Sequence, residues 1–407
     1  MTRRHALALL TALPFAARLD AQIRATAKTR VVLGRNHGFM FEPGGTLHSW
    51  RISGNGDDTA SDYLGLGHNR PLPAYSLEPV QGLANVVAAA AGWECSYAVL
   101  GDGRLMAWGV NAGNGRLGTT SPSMFERSAS WGPNSNTPIP IVTRFDAVDV
   151  SCQQEHVVAL ARDGSVYTWG KADQGQLGIG PLPKIDFQRY ESSATTYLPF
   201  PVRVPDLIGV SAISAGRYHS LALMKDGTVR AWGANELGQL GDGTTIVRDR
   251  PVAVKGVGNV TAIAAAAEAS AALLADGTVM TWGSLTRSNP APLPVPTVVA
   301  GVRGIRAIAA GLVHVVALTE TGTVLTWGDN TYYDLGRGPN RPMGPGLVSG
   351  LTGVQSIAAG PAMSTAVLAS GRIMTWGGGR PWTRPGSGGA EYMPTPILLW
   401  LDGFEQP

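Results

Sequence analysis

Four histidines are the first candidates for chemistry. His37, His156, His219 and His314 each open an apolar run, as in GRYHSLAL at 216–223 and GLVHVVAL at 311–318. Imidazole can ligate a metal or act as a general base, but metal ligands must converge within a few ångströms. These four lie far apart in the chain with no acidic companion at fixed spacing, so no metal is expected and each histidine reads as a packing residue with one ring nitrogen bonded to backbone. Cys95 and Cys152 are the only cysteines. They read either as a disulfide, if the compartment is oxidising, or as two buried free thiols, because disulfide geometry is demanding. Gly113-x-Gly115-x-x-Gly118 matches the dinucleotide fingerprint in form, but Thr119-Thr120-Ser121-Pro122 follows where a helix should begin. No nucleophile elbow and no phosphate-cradling Gly-Lys-Ser/Thr loop is present, and carboxylates such as Asp173 and Asp242 form no pair that spacing alone can place. No cofactor is expected, and catalysis stays open only as an active site assembled from distant segments.

The elements that carry these residues repeat. Gly-x4-Trp occurs at Gly45/Trp50, Gly103/Trp108, Gly164/Trp169, Gly227/Trp232, Gly277/Trp282, Gly322/Trp327 and Gly371/Trp376, with gaps of 58, 61, 63, 50, 45 and 49 between tryptophans. Each copy has a small, apolar segment, the histidine position, an apolar strand, a turn that is often Asp-Gly, then a strand ending in Trp-Gly. Asp-Gly between β-rich runs predicts a hairpin. In the fourth copy, alternation puts Thr228, Arg230 and Trp232 on one face and Val229 and Ala231 on the other, so both faces should be covered. A Pro-led strand such as 250–260 brings the count to four strands per unit. Fifty-three glycines and 28 prolines spread over 407 residues exclude a helical protein and favour short strands with many turns. Seven such units, apolar on both faces, predict an all-β, closed ring of four-stranded blades over residues 30–407. The chain starts directly on an inner strand and ends on MPTPILLWLDGF (393–404), so the expectation is that this C-terminal strand closes the first blade.

The segment GRYHSLALMKDGTVRAWGANELGQLGDGT (216–244) resembles the repeat of the regulator of chromosome condensation family almost letter for letter. The resemblance covers essentially everything after residue 30 and implies a seven-bladed β-propeller. The chain departs from the pattern at the histidine position, which holds Cys95, Ala269 and Met363 in three blades. The members it resembles include a nuclear exchange factor for a small GTPase, chromatin-associated proteins and secreted bacterial inhibitors of β-lactamases, so the resemblance alone implies a protein-binding role of several kinds.

Residues 1–22 are of another character. Arg3 and Arg4 precede an apolar run from Ala6 to Ala17, with small residues at Ala16, Ala17 and Ala21. This reads as a signal peptide for export to the periplasm or outside the cell. The run is too short to span a bilayer, and no later segment is long and apolar enough to cross one. Loss of three arginines and one aspartate takes the formal charge from +3 to +1. A near-neutral chain without a clustered basic face does not point to nucleic acid. Export argues against a GTPase-exchange or chromatin role, which leaves an exported, non-catalytic protein-binding propeller, expected as a monomer, as the leading reading. A GTPase exchange factor and a multi-blade enzyme are the alternatives.

Such a propeller would bind through loops. The two residues before each histidine position should gather at the axis rim. They include Asn36, Trp93, Glu94, Glu155, Arg217, Tyr218 and Glu268, with Trp93 and Tyr218 as aromatic anchors of the type that dominates hot spots. The insertions at 119–136 and 181–197 are the second set, carrying Phe125, Trp131, Phe187 and Tyr190.

Overall fold

The computed structural model describes residues 30–399 apart from 43, 53–61, 69–75, 112–114, 120–132, 182–196, 287–290, 340–341, 362 and 379–392. Residues 1–22, expected as a signal peptide, lie outside the described residues. Blade 4 shows how the sequence makes the element. Its strands Val210–Ala215, His219–Met224, Val229–Gly233 and Arg248–Ala253 lie side by side, antiparallel, from the inside of the ring outwards. The hairpin between the second and third strands closes because Gly227 takes a φ of +80° and Asp226 Oδ1 accepts the Thr228 N–H at 2.9 Å. Trp232 faces blade 3, packing with Val148, Val158 and Leu160. Val229 and Ala231 face blade 5, packing with Val260 and Trp282. Among the described residues the chain forms seven such four-stranded sheets in a ring, a β-propeller.

The ring closes without a shared blade, which corrects the expectation drawn from the chain ends. The C-terminal strand Met393–Leu398 pairs with Ile373–Gly377, Leu398 opposite Met374, as the outer strand of blade 7. Blade 1 is complete in itself, from Arg30–Leu33 through His37–Phe41 and Leu47–Arg51 to Glu78–Pro79. The Pro-led strand follows its own Trp-Gly outwards within one blade rather than leading into the next. The described strands, from the inner Arg30–Leu33 to the outer Met393–Leu398, thus build seven whole blades. Closure is by packing: Leu33, Met40 and Trp50 of blade 1 form one core with Met363, Val367, Ile373 and Leu399 from the end of the chain.

Two devices join neighbouring blades. Each repeat tryptophan is at most 4% exposed and lies in the core shared with the preceding blade. Where the acceptor is described, the indole N–H donates to a loop carbonyl of that blade: Trp108 to Tyr63 at 2.9 Å, Trp169 to Arg116 at 3.0 Å, Trp232 to Gln176 at 2.9 Å, Trp282 to Gln239 at 2.9 Å and Trp376 to Asp334 at 3.0 Å. The Leu-Gly that follows each acceptor lays its glycine on the ring. At Gly241 (φ +66°) a Cβ would stand 2.8 Å from Trp282 Nε1, so the position requires glycine twice over.

The second device is the histidine. Its Nε2 meets a serine hydroxyl of the next blade, His37 with Ser96 at 2.7 Å, His156 with Ser220 at 2.9 Å, His219 with Ser270 at 3.0 Å and His314 with Ser364 at 2.7 Å. The serine hydroxyl across the blade boundary is thus a partner that the repeat alone did not reveal, and His156 and His219 also meet backbone of the next blade, at Arg217 and His219 and at Ala267. Ser96, Ser220 and Ser270 donate their own proton to the loop carbonyls of Tyr63, Gln176 and Gln239. Each hydroxyl therefore accepts from the ring, which is held neutral with the proton on Nε2. The blades that lack the histidine, at Cys95, Ala269 and Met363, face Val157, Val315 and Gly38 at the serine position. Histidine appears only where the next blade offers a serine.

These rings make stability pH-dependent. Burial lowers the pKa of His37 and His219 to about 3 and of His156 to about 4, against about 6.5 in an unfolded chain. Between those values the unfolded state binds protons that the folded state refuses. The stabilisation is complete above about pH 6.5 and is lost as acid is added. Burial raises Asp149 to about 6, and this group acts the other way between about pH 6 and 4, favouring the fold as it takes up a proton. Three histidines against one aspartate leave two protons. Unfolding free energy from denaturant titrations should fall by roughly 3 kcal/mol per pH unit between about pH 6 and 4.5. A flat profile there would contradict neutral, buried imidazoles.

Candidate protein-binding rim

The turn between the inner and second strands of every blade lies at one end of the ring, and the hairpin turns lie at the other. Seven expected rim residues sit in these turns, and cross-blade contacts run from blade 1 to blade 5. At the first boundary Asn36 Nδ2 reaches the Trp93 carbonyl at 3.5 Å, and the Arg35 guanidinium stands 4.2 Å over the Trp93 ring. At the second, Arg116 lies between Glu94 (3.4 Å) and Glu155 (3.7 Å). Glu155 also takes Lys171 at 3.1 Å and the Tyr197 hydroxyl at 3.2 Å. Lys171 Nζ stands 5.2 Å from the Tyr218 ring, and Arg217 flanks the same ring at 4.9 Å. Arg217 donates to Gln154 Oε1 at 2.9 Å and pairs with Glu268 at 3.9 Å across the fourth boundary.

Exposure grades along this arc. The Arg116 side chain is 6% exposed and Glu155 17%, whereas Glu94, Arg217 and Glu268 are 37–48% exposed. The inner pairs are thus largely desolvated and fix the turns, while the outer groups meet solvent and can exchange partners at little cost. Trp93 and Tyr218 are half-buried, each with a ring face held by a cation. Beyond blade 5 the rim turns apolar at Leu312, Val313 and Pro361. Gln153 reaches across the ring from blade 3 to the Gly311 carbonyl of blade 6 at 3.4 Å.

Sequence reasoning placed the turn residues at the rim but missed Arg116, Lys171 and Tyr197, which bind the arc together. A signal was present. Arg116 stands where the repeat elsewhere has Gln176 and Gln239, and Lys171 follows Trp-Gly where blade 4 has Ala234. Charges at repeat positions that do not need them mark local use. Phe125, Trp131, Phe187 and Tyr190 lie outside the described residues, although Tyr197 ends the second insertion inside the arc. Cys95 and Cys152 are free thiols. The glycines of the 113–118 fingerprint belong to the repeat: Gly118 (φ +70°) would bring a Cβ to 2.6 Å from Trp169 Nε1.

The family pattern described as RCC1-like domain matches residues 11–291, and that described as regulator of chromosome condensation (RCC1) repeat matches 305–333 and 321–367. The chain belongs to the RCC1-like family. Protein pim1 of Schizosaccharomyces pombe is 31% identical over 224 residues, which is 54% of this chain and 40% of pim1. The secretion-regulating guanine nucleotide exchange factor of Mus musculus is 32% identical over 231 residues, 53% of this chain and 46% of that protein. The chain thus spans less than half the length of these two relatives. Human WBSCR16 superimposes with a TM-score of 0.68 at 22% identity, covering 91% of this chain and 94% of that one. Yeast RCC1 (Prp20), solved bound to Kap60, gives 0.69 at 20% identity, covering 94% and 86%. These structures share the RCC1-like fold. At the rim, this RCC1-like chain keeps the repeat's glycines and tryptophans and spends its variable turn positions on the arc.

Proposed function

We propose that this chain is a non-catalytic, protein-binding RCC1-like propeller, exported after removal of residues 1–22, that seats a protein partner on its axis rim. One observation carries the reading: turn residues from five blades join into a single charge-paired arc with two half-exposed aromatic rings beside an apolar sector. Aromatic and arginine groups at the centre of a polar surface are the usual makings of a hot spot. The partner it fits is a protein surface with an apolar patch for Leu312 and Pro361 and charges of both signs for the arc. The near-neutral formal charge and the paired carboxylates do not favour nucleic acid. Relatives support protein binding as the class of activity, since yeast RCC1 was crystallised with Kap60 and a second yeast structure is described by its binding to Gsp1p and histones.

The second reading, a guanine nucleotide exchange factor, is favoured by the name of the mouse relative. It conflicts with a charged head followed by an apolar run at residues 3–17. The two readings part at the N-terminus. Protein recovered from its own cells should begin close to residue 23, and an intact Met1 terminus would remove the export half of the proposal.

For the binding half, Trp93→Ala with Tyr218→Ala should weaken capture of a partner pulled down with the wild-type chain by roughly thirtyfold per residue, about 2 kcal/mol each. The loss of three cation–π contacts should cost the fold only about 0.5–1 kcal/mol each. Affinity and melting temperature would be compared for both chains. Unchanged affinity would move the site off this rim, and a collapse in melting temperature would make the two rings structural.

A further inference from the structure

The boundary between blades 2 and 3 breaks the histidine–serine rule, with Cys95 in the histidine position and Val157 in the serine position. In their place a second pair stands together. Cys152 ends the inner strand Ala147–Cys152 of blade 3, where the other described blades from 2 to 7 carry alanine (Ala91, Ala215, Ala265, Ala310 and Ala359). Its thiol lies beside that of Cys95 across the boundary. Both sulfurs rest on the bare Cα of Gly92: a Cβ there would lie 2.8 Å from Cys152 Sγ and 3.1 Å from Cys95 Sγ. The only two cysteines of the chain have thus replaced two different repeat residues so as to meet at one boundary.

We propose that Cys95 and Cys152 are a site of reversible oxidation, closing to a disulfide that ties blade 2 to blade 3 directly beneath the Glu94–Arg116–Glu155 bridge of the rim.

The surroundings suit the chemistry. Cys95 is fully buried and Cys152 half-buried, so an oxidant reaches the pair at Cys152. The Arg116 guanidinium, itself held by the two glutamates, favours a negative charge on the pair. The hydrogen bond from Cys152 is the main cause that brings Cys95 down to about 7, while the same contact holds Cys152 well above the ordinary thiol range. The pair therefore gives up its first proton near neutral pH, and the singly protonated form is the reactive one.

With hydrogen peroxide as oxidant, the Cys152 sulfur passes its proton to Cys95 and attacks one peroxide oxygen. The O–O bond breaks, hydroxide leaves, and Cys152 becomes a sulfenic acid. That hydroxide takes the Cys95 proton as water. The Cys95 thiolate then attacks Cys152 sulfur, the S–S bond forms, the S–O bond breaks, and a second hydroxide leaves, neutralised by the proton already lost to solvent. Two thiols lose two electrons and one peroxide becomes two waters. A small dithiol such as dithiothreitol reverses the change by exchange.

The test uses the full, folded chain treated with hydrogen peroxide. Denaturation in a thiol reagent should then find no free thiol, intact mass should fall by two hydrogens, and a peptide map should show Cys95 linked to Cys152. Dithiothreitol should restore both thiols. Because the bond closes the loop from 95 to 152, the oxidised form should melt higher by at least roughly 2 °C. Cys95→Ser should stop the reaction at a Cys152 sulfenic acid that dimedone traps, and if that variant does not fold, the wild-type mass and thiol count decide alone. Two thiols surviving oxidation, oxygen added without a link, or a bond between chains would overturn the site. A link with an unchanged or lower melting temperature would overturn the staple.

Discussion

Everything in this molecule depends on one buried ring per blade. A four-stranded sheet of this size cannot stabilise itself, because both faces are apolar and neither has a partner within the blade. The repeat tryptophan resolves this by filling the space between its own blade and the preceding one. In five blades its indole N–H has a loop carbonyl of that neighbour as acceptor, so there the ring is polar-satisfied as well as apolar. Truncating a buried ring of this kind costs roughly 3–5 kcal/mol in a core, a large part of a typical domain stability of about 5–15 kcal/mol. The Leu-Gly glycine and its positive φ follow from the same constraint, since any side chain there would strike the indole.

The remaining positions are free to vary only where this constraint releases them. The histidine position is one step removed: it retains histidine where the next blade supplies serine and gives it up elsewhere. At one of the released boundaries the vacancy holds two thiols rather than an apolar pair. The turns above the strands are released fully, and there the chain gathers Glu94, Arg116, Glu155, Lys171, Arg217 and Glu268 into one charge-paired arc. Scaffold and candidate site thus divide the same fifty-residue unit between them.

This division explains what could be read from the sequence. The blades were legible because a hairpin, a Trp-Gly and a buried strand are local patterns, and seven copies in register leave little room for another architecture. The rim turns were legible by their place in the repeat. What escaped reading was long-range. Whether the Pro-led strand belongs to the unit before it or after it is invisible in a periodic string, and so the closure of the ring was misassigned. The serine partner of each histidine lies 50–64 residues away in the next blade, and no local pattern announces it. Arg116 and Lys171 differ from the repeat by single letters, which mark them only once the neighbouring glutamates are known to be within reach.

The central claim is that a protein partner sits on the rim formed by the turns before the histidine positions. Hydrogen–deuterium exchange on the complex with a captured partner tests it most directly. The account predicts protection concentrated in peptides that contain Asn36, Trp93–Glu94, Gln154–Glu155, Arg217–Tyr218 and Glu268. Protection centred instead on the opposite hairpin turns at Asp102, Asp163, Asp226 and Asp276, or on the outer strands, would contradict it.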